Sequence, residues 1–279
     1  MRGKTIWNML WEVLSPILLY ILLSVILTGI LEMVFPVLLE PENSMWLLTL
    51  VNAFQIPVFL LLYRRQRVRT AVSLAAANRR QPAWKKSFGV KELFLAALGG
   101  ILLARGFNGL IGLTPLPRLF PAYETVSETL YQGSLLSQVM ASVVTASVLE
   151  ETLMRGLIYE WLRGFFSDLR PAVVAGALIF ALFHGNVVQG AYAFFIGLYF
   201  VWLYEAYGSL LPAILAHAAA NASSVLLEQT GWLDALYEDL PLYLALTALC
   251  LAAGAFCWSR VKLSRQGKRD RTGENAWKF

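Results

Sequence analysis

The sequence predicts an all-α integral membrane protein, a polytopic bundle of about eight transmembrane helices. Of its 279 residues 58% are hydrophobic and only 15% are charged, whereas roughly a quarter of the residues in a soluble domain are charged. The mean hydropathy is +0.59. Apolar residues fall in runs of about 20, the length that an α-helix needs to cross a bilayer. These observations exclude an ordinary soluble domain.

The apolar runs are separated by short polar segments and define the predicted spans. They are Val13–Phe35, Ser44–Tyr63, Leu93–Leu113, Leu135–Leu162, Pro171–Val188, Ala191–Ala206, Ser209–Leu227 and Leu240–Trp258. The sixth run is short and the fourth contains charged residues, so that seven spans or a re-entrant pair remain open alternatives. We expect one transmembrane domain, 1–262, followed by a basic cytoplasmic tail, 263–279, that is disordered.

Charged residues in the connecting segments alternate in sign along the chain. Basic residues crowd 64–91 and 260–271, whereas the segments after the first and seventh runs are acidic and contain no lysine or arginine. The positive-inside rule then predicts an even number of crossings and two cytoplasmic termini. We expect a bacterial-type cell membrane. The net charge of +5 is interpreted as a topology signal. We therefore expect membrane lipids, and no nucleic acid, as partners.

Two adjacent glutamates and an arginine interrupt the fourth apolar run. Glu151 and Arg155 are four residues apart, so a helix places them on one face, where they can pair. Glu150 lies about 100° further round the helix. Arg155 therefore cannot pair equally with both glutamates, and one carboxylate is left without this partner. An ionisable side chain at the centre of a bilayer costs roughly 2.5 kcal/mol or more. Glu150 is therefore a candidate functional residue.

The only two histidines of the chain lie in later apolar runs. His184 follows Phe180 by four residues in the fifth run, and His217 precedes Asn221 by four in the seventh, so each pair shares a helix face. At about 1.5 Å per residue, Glu150, His184, His217 and Asn221 reach similar depths below the cytoplasmic surface. The sequence thus predicts that a carboxylate, two imidazoles and an amide converge.

These side chains are suited to water activation against an acyl centre. A glutamate and a histidine that share a water molecule can take its proton as general bases. Histidine and asparagine N–H groups are donors for the oxyanion that forms when a carbonyl is attacked. The sequence has no obvious serine or cysteine nucleophile beside a histidine, which favours direct hydrolysis over an acyl-enzyme.

The motifs also resemble those of a known family when they are taken together and in order. They consist of Glu150, Glu151 and Arg155, then Phe180 and His184, then His217 and Asn221. Glu-Glu-x-x-x-Arg, Phe-x-x-x-His and His-x-x-x-Asn on successive helices resemble the CAAX protease and bacteriocin-processing family of intramembrane glutamic endopeptidases. That family includes the Ras-converting CAAX endopeptidases. The resemblance covers 135–227, the predicted protease core.

The resemblance implies a role for each catalytic residue. Glu150 and His184 would position and deprotonate the water molecule, and His217 and Asn221 would stabilise the oxyanion. The implied substrate is a peptide or protein near the cytoplasmic side of the membrane, of CAAX type or a bacterial peptide. Whether it is lipidated stays open.

Three further motif residues would support the site. The resemblance implies that Glu151 and Arg155 pair to hold the helix and its neighbours, with Glu151 also close to the water molecule. Phe180 would pack beneath the site.

Two other functions remain as alternatives. Zinc could bind between Glu150, His184 and His217, because carboxylates and imidazoles are standard zinc ligands, although no cofactor is expected. A proton-coupled transporter or a non-catalytic scaffold could also contain buried acids and histidines. Against transport, the sequence has no paired interrupted helices in related halves.

Overall fold

A computed structural model describes residues 6–76, 88–166, 168–231 and 239–272, and all regular elements in these ranges are helices. We label the long helices α1 to α8 in chain order. They are α1 Ile6–Val34, α2 Ser44–Ala76, α3 Val90–Gly112, α4 135–165, α5 Leu169–Phe183, α6 Val187–Tyr207, α7 Leu211–Thr230 and α8 Leu240–Thr272. Shorter helical turns connect some of them, at Pro36–Leu39, Pro41–Asn43, Leu116–Leu119 and Ala122–Leu130.

Several of these helices are long and apolar enough to cross a membrane. Within the described residues they number five, namely Ile6–Val34, Pro41–Arg69, Val90–Gly112, Val187–Tyr207 and Leu240–Val261. The protein is therefore an integral membrane bundle of α-helices, as the sequence predicts. The number of crossings stays a prediction.

The fifth predicted span contains a helix break that the sequence analysis did not predict. It was expected to reach Val188, but α5 ends at Phe183 and α6 begins at Val187. The break follows from two residues between them: Gly185 adopts a left-handed φ of 64°, and the Asn186 side chain accepts hydrogen bonds from the first backbone N–H groups of α6. Because α5 is a helix of 15 residues, it spans only about 22 Å.

The last helix extends into the segment for which the sequence predicts disorder. α8 continues to Thr272, whereas 273–279 lie outside the described residues. Lysine, arginine and glutamine are good helix formers, and 262–272 contain no proline, so the helix continues although Gly267 is a weak helix former. The boundary between domain and tail stays a prediction.

Small residues allow α3 to approach α7 and α8 closely. A Cβ atom at Gly100 would lie 2.3 Å from the carbonyl oxygen of Ala216, beside His217, and one at Gly109 would lie 2.4 Å from the Thr247 hydroxyl. Small residues let helix backbones pack closely in membranes. By contrast, α1 leaves most of its apolar side chains exposed, as a helix at the lipid-facing edge of the bundle would.

Candidate active site

The helix that contains the glutamates is not a uniform α-helix. Ser147–Glu151 is an α-helical turn, but Val139–Ala146 before it and Thr152–Tyr159 after it are π-helical. Wide π turns are rare and are often found at functional sites. The two glutamates thus lie on the short α-helical turn between two widened segments.

The predicted ion pair between Glu151 and Arg155 is present. Arg155 Nη1 lies 2.8 Å from Glu151 Oε1, and the two side chains are 1% and 0% exposed. Arg155 Nη2 also donates to the backbone carbonyl of Gly197 in α6, at 3.2 Å. The pair therefore joins α4 to α6 as well as stabilising its own helix.

Two aromatic rings surround the Arg155 guanidinium. Its central carbon lies 4.3 Å from the centroid of Phe180 and 5.3 Å from that of Phe200, so both rings make cation–π contacts. Phe180 also contacts the rings of His184, at 4.8 Å, and His217, at 5.8 Å, and Phe200 stacks on His217 at 5.1 Å. Phe180 is thus the common neighbour of both imidazoles.

His217 lies between the two glutamates. Its Nδ1 atom is 2.9 Å from Glu151 Oε1, and its Nε2 atom is 3.9 Å from Glu150 Oε2. A carboxylate accepts hydrogen bonds, so the contact with Glu151 places a proton on Nδ1. The His217 side chain is 7% exposed and that of Glu150 is 22% exposed. Glu151 therefore binds both Arg155 and His217. The sequence predicted the contact with Arg155 but not the contact with His217.

His184 lies at the carboxyl-terminal end of α5 and is partly buried. Its Nδ1 atom is 2.8 Å from the carbonyl oxygen of Phe180, which can only accept a hydrogen bond. In the neutral ring the lone pair is therefore on Nε2. In the described part of the chain, no hydrogen bond or ion pair joins His184 to Glu150. They are connected indirectly, because Phe180 contacts both imidazole rings and His217 faces Glu150.

Asn221 connects α7 to the glutamate helix at a second place. Its amide nitrogen donates to the backbone carbonyl of Ser142 at 2.8 Å. The amide group has two N–H donors, and one of them is used in this contact. One helical turn further along α7, the Ser224 hydroxyl accepts a hydrogen bond from Arg105 of α3, which is partly buried.

The comparisons with known proteins identify the segment that holds these side chains. Residues 132–223 match the family model described as type II CAAX prenyl endopeptidase, Rce1-like. This segment is similar to the Rce1-like family. Neither the curated proteins nor the solved structures gave a match to the chain. The resemblance to CAAX-type membrane proteases is thus confirmed.

The Rce1-like segment includes every motif residue. It runs from just before α4 to Ser223 in α7. The similarity is therefore to a family of CAAX prenyl endopeptidases, over about a third of the chain. Helices α1, α2, α3 and α8 lie outside the matched residues.

Two residues of the Rce1-like site were missed by sequence reasoning. Gly197 and Phe200 lie in the sixth apolar run, and no motif there indicates a functional site. Their contacts with Arg155 and His217 depend on how α6 packs against α4 and α7. Only the spacing of three residues, which puts both on one face of α6, was available as a signal.

The zinc alternative requires three ligands at one point. In the described ranges, no three histidine, cysteine, aspartate or glutamate side chains are grouped as metal ligands. Each imidazole has one nitrogen occupied, by Glu151 for His217 and by the Phe180 carbonyl for His184. Metal dependence is therefore left to experiment.

Proposed function

We propose that this protein is an intramembrane endopeptidase that cleaves a peptide bond near the cytoplasmic side of the membrane with a water molecule activated by Glu150 and His184. One observation carries the proposal. Inside the Rce1-like segment, Glu150 faces an imidazole nitrogen of His217 at 3.9 Å, and the other nitrogen of that ring is held by the buried Glu151.

Glu150 and His184 are suited to accept the proton of water. Glu150 lies at the edge of a buried cluster, and its partial exposure allows water to reach it. Because His184 Nδ1–H donates to the Phe180 carbonyl, the neutral ring has its lone pair on Nε2, which can accept a proton. A positioned general base contributes about 10²- to 10⁴-fold to a rate.

His217 can serve as an oxyanion donor only when both ring nitrogens carry protons. Glu151 already holds the Nδ1 proton, so the donor would be Nε2–H of an imidazolium. Charge balance supports this form, because two carboxylates, the Arg155 guanidinium and an imidazolium sum to zero, and buried charges are stable only when they are compensated. The second N–H of Asn221 would be the other donor.

The proposed reaction then proceeds without a covalent enzyme intermediate. Glu150 takes a proton from water while the water oxygen forms a bond to the carbonyl carbon. The carbonyl electrons move to its oxygen, which His217 and Asn221 stabilise. When the tetrahedral intermediate collapses, the C–N bond breaks and the leaving amine takes the proton from Glu150. The products are a carboxylic acid and an amine.

A peptide-cleavage assay would test this function and its independence of metal. Purified protein in lipid nanodiscs would receive matched peptides with and without a prenyl group on a cysteine near the carboxyl terminus. We expect cleavage of at least one membrane-associated peptide, with the rate unchanged after exhaustive chelation. Loss of activity that only zinc restores would contradict the metal-free mechanism, and no cleavage of any peptide would contradict the proposed activity.

We also propose eight crossings with both termini in the cytoplasm. The acidic segment at 36–43 would then be outside, and the α6–α7 connection at Ser209 inside. In a background with Cys250 and Cys257 replaced by alanine, Glu42→Cys should react with a membrane-impermeant thiol reagent in intact cells. Ser209→Cys should react only after permeabilisation. The opposite pattern would refute this topology.

A further inference from the structure

The serine that begins the glutamate turn has a hydroxyl group that the proposed reaction does not use. Ser147 is the first residue of the α-helical turn Ser147–Glu151, and its side chain is fully buried. Within the described residues, its Oγ atom has no hydrogen-bond partner. Burying a hydroxyl group without a partner is costly. The Ser147 hydroxyl therefore needs an acceptor or a donor in the core of the bundle.

The neighbouring hydroxyl groups of α4 are satisfied by their own helix. Thr145 donates to the Ala141 carbonyl at 3.0 Å, and Thr152 donates to the Val148 carbonyl at 2.7 Å, in each case four residues earlier. Such back-bonding is a common local partner for serine and threonine inside a helix. Ser147 makes no such bond in the part of the chain that the structure describes. Its proton is thus available for another acceptor.

The second carboxylate oxygen of Glu151 is an acceptor on the same face of α4. Glu151 follows Ser147 by four residues in an α-helical turn, so that their Cβ atoms lie about 5–6 Å apart. Side chains of a helix lean towards its amino terminus, which directs the Glu151 carboxylate towards Ser147. Glu151 Oε1 already contacts Arg155 and His217, whereas Oε2 is buried and has no hydrogen-bond partner among the described residues. An unused donor and an unused acceptor are therefore one helical turn apart.

The contacts between α4 and α7 lie on both sides of Ser147. Asn221 donates to the Ser142 carbonyl at 2.8 Å, and His217, one turn earlier on α7, contacts Glu151 at 2.9 Å. Ser147 lies between Ser142 and Glu151 along α4, and the turn that it begins packs against α7. In such a buried place a hydrogen bond is electrostatically stronger than in water. A link from Ser147 to Glu151 would therefore help to fix the carboxylate that holds His217.

We propose that Ser147 is a positioning residue and that one buried water molecule joins its hydroxyl group to Glu151 Oε2. Among the described residues no hydrogen bond joins these two side chains directly, and buried water commonly bridges polar groups that are otherwise unsatisfied. The water molecule accepts the Ser147 proton and donates one of its own to Oε2. Glu151 is thereby held in the orientation in which Oε1 contacts His217. This role rests on the proposed function, because it acts through the oxyanion donor.

Ser147→Ala tests the inference, because it removes the hydroxyl group and adds no bulk to a buried position. We expect kcat for peptide cleavage to fall about 3- to 30-fold, the range for the loss of one hydrogen bond, with KM unchanged. The unfolding midpoint in detergent should also fall. A hydroxyl group that has no partner predicts the opposite, because its removal would raise the midpoint. A wild-type kcat or a raised midpoint would overturn the inference.

A double-mutant cycle with Glu151→Gln shows whether Ser147 acts through Glu151. Hydrogen bonds to a charged acceptor are about twice as strong as neutral ones. Ser147→Ala should therefore shift the unfolding midpoint of Glu151→Gln by no more than half of the shift that it causes in the wild type. Equal shifts in the two backgrounds would show that the residues are independent and would overturn the inference.

Thr152→Val is the matched control. It removes a buried hydroxyl group of α4 whose partner is the backbone of its own helix, so kcat should stay unchanged and the midpoint should shift equally in both backgrounds. The cycle of unfolding midpoints needs no substrate. The inference on Ser147 can therefore fail while the wild type cleaves peptide, and the absence of cleavage would contradict the proposed function whatever the cycle shows.

Discussion

Glu150→Gln should lower the rate of peptide cleavage by about 10²- to 10⁴-fold, because the amide cannot accept the proton of water. The substitution keeps the size of the side chain, so the protein should fold and bind its substrate. The measurement is kcat on the best peptide of the cleavage assay, together with the melting temperature of the variant. A rate within twofold of wild type would contradict the role of Glu150.

Glu160→Gln provides the control for this experiment. Glu160 also lies on α4, is partly buried, and accepts a hydrogen bond from the Tyr204 hydroxyl at 2.6 Å. A glutamine oxygen can accept the same hydrogen bond. We therefore expect a rate close to that of wild type, which would show that neutralising a partly buried glutamate on α4 does not in itself abolish activity.

Arg155→Met should destabilise the protein by about 3–5 kcal/mol, because it leaves Glu151 as a buried charge without a cation. It also removes the hydrogen bond to Gly197 and the contacts with the rings of Phe180 and Phe200. The measurement is the unfolding midpoint in detergent. Activity should be lost as well, because Glu151 would no longer hold His217 in place.

Two further variants separate two effects on stability, that of an uncompensated buried charge and that of lost side-chain packing. Arg163→Met breaks a pair with Glu205 whose side chains are 32% and 14% exposed, and such a pair contributes about 1 kcal/mol or less. The double variant Glu151→Gln/Arg155→Met should regain part of the lost stability, because no uncompensated acid remains, but not the activity. Equal losses for Arg155→Met and Arg163→Met would contradict this explanation.

The sequence predicted contacts that depend on a single helix. Glu151 and Arg155 are one turn apart, and that spacing holds whatever packs around them. The contacts of His217 with Glu151 and of Asn221 with Ser142 join residues 66 and 79 positions apart. Such contacts depend on how helices cross, and helix periodicity does not specify crossing angles.

Other features were hidden by the apolar composition of the chain. The end of α5 carries recognisable signals, a glycine that favours a left-handed conformation and an asparagine that caps the next helix. The valines that follow continue the apolar run, which led to the longer predicted span. The π-helical segments of α4 had no signal, because they do not change the pattern of apolar residues.

A structure with a bound peptide phosphinate would test the central claim most directly. A phosphinate imitates the tetrahedral intermediate of direct attack by water. We expect one of its oxygens within hydrogen-bond distance of His217 Nε2 and Asn221 Nδ2, and the other beside the Glu150 carboxylate. An inhibitor bound away from Glu150, or with no oxygen near His217 and Asn221, would contradict the proposed active site.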